Sequence, residues 1–367
     1  MRKMWDHAID VKEGFVPRKE KVYPLSREER EEVREFIQKQ LRKRYIWPSK
    51  SPQMAPVFFV RKKDGKKWMV QDYRYLNKWT IKNNYPLLLI SDILENIRTK
   101  KVFTKINLRW GYNNVRIKEG DEWKAAFTTL EGSFKPTVMF FRLTNSPTIF
   151  QTMINKLLRD LINTGKVAVF INDVIVGMET EERHDELAAE VIRRLEENNL
   201  YMKLEKCKWK VRKVEFLGVV IGLEGIKMEE EKVRGVLDWP TLKCIKDIQK
   251  FLGLVNYYCR FIRGFISIAR PLYDMVKKDK KWEWMEKQEK AFKELKEQFT
   301  KEPVLAAPDL NKKMRMKVDV SDYAMGVLSM ECENGLWRPV AFLSKLLNET
   351  ERNYVIHNKK MLAIIRG

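Results

Sequence analysis

Cysteine is scarce in this sequence. Only four occur among 367 residues (Cys207, Cys244, Cys259 and Cys332), far apart and with no CxxC pair. That spacing excludes a disulfide framework and a zinc ribbon and suits a reducing cytoplasm or nucleus rather than secretion. Long apolar runs are missing too. None approaches the roughly 18 residues of a membrane span, and the N-terminus MRKMWDHAIDVKEG has no signal-peptide hydrophobic region. Acids are in deficit: 50 Asp+Glu against 72 Lys+Arg leave a formal net charge of +22. So basic a balance suits a polyanion partner, nucleic acid being the commonest; Lys-rich solvated helix faces are the plainer source of the same charge. What is present is ample. Apolar residues at 44% and aromatics at 11% exclude a disordered or collagen-like chain, and the length predicts two or three domains. No internal repeat is found.

The first 25 or so residues are mixed and Pro-punctuated, and read as extended across a surface. Ser26 with Glu29 forms a capping-box signature, and Val33, Phe36, Ile37 and Leu41 follow at helical spacing. Residues 57–60 and 67–70 read as strands joined by a Lys62-Lys63-Asp64-Gly65 turn, and 102–108 as a further strand. In VAVFINDVIVGM (167–178), two apolar runs flank Asn172-Asp173, the pattern of a β-hairpin with a polar two-residue tip. Thr180 is placed to cap the next helix, with Leu187, Val191 and Leu195 on one face and His184 on the solvated side. Residues 243–301 carry Phe251, Leu254, Val255, Tyr258, Phe292, Leu295 and Phe299 at helical spacing, more as core than as stacking platforms. A strand over 314–330, VAFLS (340–344) and a closing helix near 349–366 complete the reading. The chain stops straight after that apolar helical run, which reads as truncation inside a domain.

Polymerase chemistry needs carboxylates from two separate elements converging on two Mg²⁺ ions, since attacking and leaving oxygens must both be stabilised. A strand end near 107 and a hairpin tip at 172–173 are suitable places. Here the sequence resembles the reverse transcriptases of gypsy-type LTR retrotransposons. The resemblance rests on FFVRKKDGKKWMVQDYRYLNKWTIKNNYPL (58–87), FTKINLRWGYNNVRIKEGDEWKAAF (103–127), FFRLTNSPTIFQ (140–151), FINDVIVG (170–177) and VEFLGVVIG (214–222). FLGLVNYYCRFIRGF (251–265) and VDVSDYAMGVLS (318–329) extend it towards a thumb and an RNase H domain. It implies an α+β fold: a right-hand polymerase of fingers, palm and thumb, then a helical connection and a partial RNase H-like α/β domain. The expected division is an N-terminal extension and first helix (1–43), fingers and palm (44–222), thumb and connection (223–305) and a truncated RNase H-like domain (306–367).

The resemblance also implies roles. In the first catalytic block the family carries Phe-Thr-Lys-Leu/Ile-Asp, whose Asp binds both metals; Asn107 stands there instead. Leu108 would offer its backbone carbonyl to the metal, and Tyr112 would lie under the nucleotide sugar. In the family's aromatic-x-Asp-Asp hairpin, Phe170 keeps the aromatic, Asn172 replaces the first Asp and Asp173 keeps the second. Lys62 or Lys63 would touch the incoming dNTP, Phe141 would contact it, and an Arg usual before Met69 is Trp68. The Gly expected after Phe141 is Arg142. Phe216, Leu217 and Gly218 would grip the primer end. In the RNase H remnant the first acid is Asp319, and the family's Glu in the closing helix is Lys360. The implied partners are an RNA template, RNA/DNA duplex and dNTP, with no membrane, and the implied cofactor is Mg²⁺.

These departures predict a polymerase fold without useful turnover. Two metal-binding Asp and an adjacent third acid present about −3 to the ions, and an amide oxygen keeps the shape but not the charge. Asp→Asn at 107 and 172, Glu→Lys at 360, Gly→Arg at 142 and Ala→Thr at 148 are each one G-to-A change. Arg→Trp at 68, Pro→Leu at 88 and Ala→Val at 320 are each one C-to-T change, so the coding DNA is expected to have decayed by one class of transition. The competing readings are a retrotransposon RNA-directed DNA polymerase, a non-catalytic or co-opted nucleic-acid binder, and a protein-binding scaffold.

Overall fold

The computed structural model describes residues 5–61, 65, 67–85, 90–277, 280–301, 304–309, 311–320, 323–332 and 335–366. Ser26 Oγ accepts from the Glu29 backbone N–H at 3.3 Å, and Glu29 Oε2 from that of Ser26 at 2.9 Å. This capping box opens α1 (Arg27–Arg42), with acids in its first turn and bases in its last to complement the helix dipole. Val33 and Ile37 are buried; Leu41, expected on the same face, is exposed, because the last turn runs out past the core.

In chain order there follow β1 (Ile46–Pro48), β2 (Val57–Arg61), β3 (Lys67–Gln71), α2 (Arg74–Trp79), α3 (Ile90–Ile97) and β4 (Val102–Asn107). Next come β5 (Phe127–Thr129), β6 (Gly132–Pro136), α4 (Ser146–Leu157), α5 (Arg159–Asn163), β7 (Val167–Phe170), β8 (Asp173–Met178), α6 (Glu182–Glu197) and β9 (Lys208–Val211). The remainder is β10 (Lys213–Phe216), β11 (Val219–Gly222), β12 (Gly225–Met228), α7 (Glu230–Leu237), α8 (Ile245–Tyr257), α9 (Phe265–Met275) and α10 (Glu286–Thr300). It closes with β13 (Met314–Val320), β14 (Tyr323–Glu331), β15 (Trp337–Leu346), α11 (Glu349–Arg352) and α12 (Ile356–Arg366). Two compact units result, each discontinuous. The first holds Met1–Ile93, Thr104–Val176 and Asp185–Lys208; the second holds Leu94–Phe103, Gly177–His184 and Trp209–Gly367.

In the first unit, one core cluster packs the apolar flanks of the β7–β8 hairpin (Val167, Val169, Val174, Val176) on Phe150 and Ile154 of α4 and Val191 and Leu195 of α6. A second cluster gathers Val33 and Ile37 of α1 with Val57, Met69, Tyr73, Phe127, Phe134 and Phe140. The extended N-terminal segment lies across this unit through bridges His7–Ile117, Val11–Thr80 and Lys19–Met54, and buries His7 and Ile9 as it does so. α6 begins at Glu182, so Glu181 rather than Thr180 precedes its first turn, and His184 is buried at 1% exposure, not solvated as its sequence neighbours suggest.

The second unit carries α8, α9 and α10, with Phe251, Val255, Tyr258, Leu272, Phe292, Leu295 and Phe299 all buried, so the aromatics at helical spacing are core there. The 314–330 stretch is not one strand. It folds back as β13 and β14, paired antiparallel from Met314–Met330 to Val320–Ala324; residues 321–322 between them lie outside the described residues. The closing helix is likewise two: Asn348 Oδ1 caps α11 by accepting from the Glu351 N–H at 2.8 Å, and the chain restarts as α12. Val320, Leu347 and Ala363 pack α12 on β13, while Met361, Ile364 and Ile365 stay exposed. Among the described residues no helix is long and apolar enough to cross a membrane.

Candidate active site

The sheet order β7-β8-β4-β9 sets β4, ending in Asn107, directly beside β8, beginning at Asp173. The hairpin forms as its sequence predicts, but its tip is displaced by one residue. Phe170 pairs with Asp173, so the two-residue turn is Ile171-Asn172, and Asp173 is the first residue of a strand. The cause lies on α4. The buried Gln151 accepts the Ile171 N–H on Oε1 at 2.6 Å and donates from Nε2 to the Val169 carbonyl at 3.0 Å, so one side chain grips both sides of the turn. Ile171 is forced to φ +54°, a left-handed conformation that costs a β-branched residue about 1–2 kcal/mol.

Backbone bonds then lock the two blocks together. The Leu108 N–H donates to the Asn172 carbonyl and the Lys203 N–H to the Asn107 carbonyl, both at 2.8 Å, and the Asn107 N–H points at Cys207 Sγ at 3.4 Å. Asn107 and Asp173 meet: the Asn107 amide donates from Nδ2 to Asp173 Oδ1 at 2.8 Å. Asn172 does not join them through its side-chain oxygen. Its Oδ1 is buried without a hydrogen-bond partner and lies against Gly111, where a Cβ would come within 2.4 Å of it and 2.6 Å of Phe150 Cζ. Only glycine fits at 111. An orphaned buried acceptor costs about 1–3 kcal/mol.

The residues present do not fit a two-cation site. One carboxylate, Asp173, faces β4, and one of its oxygens already accepts an amide proton. Among the described residues no group of three or more His, Cys, Asp or Glu could hold a metal ion. Nor does the pair need a cation: an amide donor at 107 satisfies Asp173 as a like charge could not.

Tyr112 and Phe141, the residues the resemblance sets against a nucleotide, are brought together with ring centroids 5.0 Å apart, and Trp68 packs on Phe141 at 4.8 Å. Burial holds the Tyr112 phenol above its ordinary pKa. Trp68, Gln71, Trp110, Asn113, Phe140 and Phe141 line a cavity of about 360 Å³ whose wall is aromatic where a cationic Arg is expected. Arg142 sits at φ +73°, a conformation that favours the glycine the family has there. Lys62, Lys63 and Leu88 lie outside the described residues.

The remaining sites belong to the second unit. Phe216 ends β10, and Leu217-Gly218 form the turn into β11, at φ +51° and +78°. Asp319 is an exposed residue of β13 opposite Met325, alternating with Val318 and Val320, which pack towards α12; Lys360 is exposed on α12. Sequence reasoning missed Gln151, Cys207 and Gly111. Gln151 carried a legible signal, a polar side chain on a helix face otherwise lined by Phe150, Met153 and Ile154, whereas nothing local marks Cys207 as the partner of a residue 100 positions away.

Comparison with known proteins gives a consistent picture. Residues 60–221 match the family model for reverse transcriptase (RNA-dependent DNA polymerase), and 284–367 that for the RNase H-like domain found in reverse transcriptase. The transposon Tf2-3 polyprotein of Schizosaccharomyces pombe is 34% identical over 346 residues, 94% of this chain; the Tf2-7 polyprotein is 33% identical over the same length. The chain spans 26% of the length of these polyproteins. Among solved structures, a foamy viral protease–reverse transcriptase in complex with double-stranded DNA matches with TM-score 0.85 at 23% identity, covering 100% of this chain and 64% of that one. The same viral protein with an RNA/DNA hybrid matches at TM-score 0.80 and 22% identity, over 98% and 48% of the two chains. The fold is therefore that of a polymerase followed by an RNase H-like domain.

Proposed function

This chain belongs to the gypsy-type LTR-retrotransposon reverse transcriptases, and we propose that it binds template RNA and RNA/DNA duplex but does not extend a primer. The observation that carries this reading is the 2.8 Å bond from the Asn107 amide to Asp173. In the family two Mg²⁺ ions neutralise the charge that develops at the transferred phosphoryl group; here two neutral amides replace the acids that would hold them. Losing two such charges costs several kcal/mol of transition-state stabilisation, or at least about 10³-fold in rate. The nucleotide site weakens in parallel, since Trp68 offers a triphosphate no charge. In the RNase H-like segment the same argument applies to Lys360, a cation where the resemblance implies a Glu beside Asp319. Binding has more support: the net charge of +22, and relatives of this fold solved with duplex DNA and with a hybrid. Such binding tracks backbone and duplex shape, is tolerant of sequence, and weakens steeply with salt.

The left-handed backbone at Arg142 supports the decay reading independently, because it is a conformation built for glycine. The test is primer extension on an RNA template by the unaltered chain beside Asn107→Asp/Asn172→Asp. Restoration of extension by the double reversion is expected; extension by the unaltered chain would defeat the proposal. Hybrid binding with a flat salt dependence would instead favour a protein-binding scaffold.

A further inference from the structure

We infer that Tyr257 and Tyr258 are positioning residues for the primer-gripping turn, holding Leu217-Gly218 in place through hydroxyl-to-carbonyl bonds. The inference rests on the reading of this chain as a duplex binder. Tyr257 Oη donates to the Leu217 carbonyl at 2.5 Å and Tyr258 Oη to the Gly218 carbonyl at 3.0 Å. Both residues of the turn have positive φ, the twist that closes a tight hairpin, and that twist turns both carbonyls towards the C-terminal end of α8. The Gly218 carbonyl takes a second bond from the Glu229 N–H at 3.2 Å. Fit is close: a Cβ at 218 would lie 2.7 Å from Tyr258 Oη, so glycine there and tyrosine at 258 require one another.

The two phenols are themselves fixed. Their rings meet edge-on at 4.8 Å, Tyr258 stacks edge-on to Phe299 at 5.8 Å and is 1% exposed, and burial keeps both hydroxyls protonated donors. Three positions on from Tyr257, Arg260 donates to Glu95 at 2.9 Å, tying the same end of α8 to α3. Two adjacent tyrosines bonded to two adjacent carbonyls add to the Phe216–Val219 strand pairing a direct hold on the height and tilt of the turn. A turn that must meet a nucleic-acid 3′ terminus needs that constraint.

The test uses the full chain with an RNA/DNA hybrid carrying 2-aminopurine at the DNA 3′ terminus, and a second hybrid carrying it internally. Tyr257→Phe and Tyr258→Phe keep the rings and remove one neutral hydrogen bond each. Each should shift the seated-to-unseated equilibrium of the terminus by about fivefold, read as increased terminal 2-aminopurine fluorescence, while the internal probe and overall affinity hold. Gly218→Ala should also raise the terminal signal, through the collision with Tyr258. Tyr257 is half-buried, so its variant carries the result should Tyr258→Phe fold poorly. A terminal probe unmoved in the variants, with hybrid still bound, overturns the positioning role alone; no hybrid binding by the unaltered chain overturns that role together with the duplex-binding reading.

Discussion

Two hairpin turns of this protein pose the same steric problem and differ in what they retain. At Ile171-Asn172 and at Leu217-Gly218 a two-residue loop drives a branched or bulky side chain to φ near +50°, and in each case side chains from a helix hold it there: Gln151 in the first unit, Tyr257 and Tyr258 in the second. By the family resemblance the second turn keeps an expected Phe-Leu-Gly, whereas the first carries Asn172 where the resemblance implies an acid. Yet the first is no less well built, with its flanks buried on α4 and α6. The apolar flanks and the buried Gln151 make the turn, not the acids it presents. Chemistry can be lost there without the scaffold reporting it.

The largest effect should come from the palm turn. Asn107→Asp/Asn172→Asp with Mg²⁺ should raise primer extension by at least about 10³-fold; if turnover stays at background in a variant that binds hybrid, the scaffold is not intact after all. Acid should separate the two units next. Burial depresses the His7 imidazole to about 4, partly opposed by Asp121. Above pH ~6.5 the ring is neutral in both states and has no effect. As pH falls from ~6.5 to ~4 the unfolded chain takes up a proton the folded one refuses, removing up to about 3 kcal/mol. Urea titrations at neutral and acid pH should show His7→Leu losing that share of the parent's acid sensitivity. An identical pH slope in both would discard the account.

Asn107→Asp alone is the third lever. Without metal it sets two carboxylates at hydrogen-bond distance and should cost about 1–3 kcal/mol; millimolar Mg²⁺ should return part of this, whereas the parent's melting temperature should ignore the ion. Equal melting of the single variant in EDTA and in Mg²⁺ would show that the amide–carboxylate bond is incidental. The smallest effect is at Arg142→Gly. Relief of the left-handed backbone should outweigh the lost contact of the guanidinium with Phe58, 5.6 Å away, for a net gain of about 0.5–1 kcal/mol in chemical denaturation; a loss of stability would deny that the site was shaped for glycine.

Much of this was legible in the sequence because it is local. The Ser26–Glu29 cap, the apolar flanks of 167–178 and the helical spacing of Phe251, Tyr258, Phe292 and Phe299 each declare themselves within a few residues. The misreadings had non-local causes. The hairpin tip moved because Gln151, 20 residues back, chose which N–H to accept; His184 is buried by packing its polar neighbours do not foretell. The Asn107–Asp173 contact was implied only through resemblance, since no spacing rule brings β4 beside β8.

The interleaving of the two units bears on how the chain is made. Residues 94–103 belong to the second unit, where Lys101 donates its N–H to the Met178 carbonyl and Lys100 pairs with Glu179 at 3.3 Å. On a ribosome that segment emerges well before those partners, and before everything from Trp209 onward. It therefore waits with apolar Val102 and Phe103 uncovered while the first unit collects its own later pieces, the slow, long-range assembly in which loop-closure entropy is spent before contacts repay it. No single proteolytic cut separates the two units cleanly: cleavage after Lys208 carries Leu94–Phe103 and Gly177–His184 of the second unit away with the first.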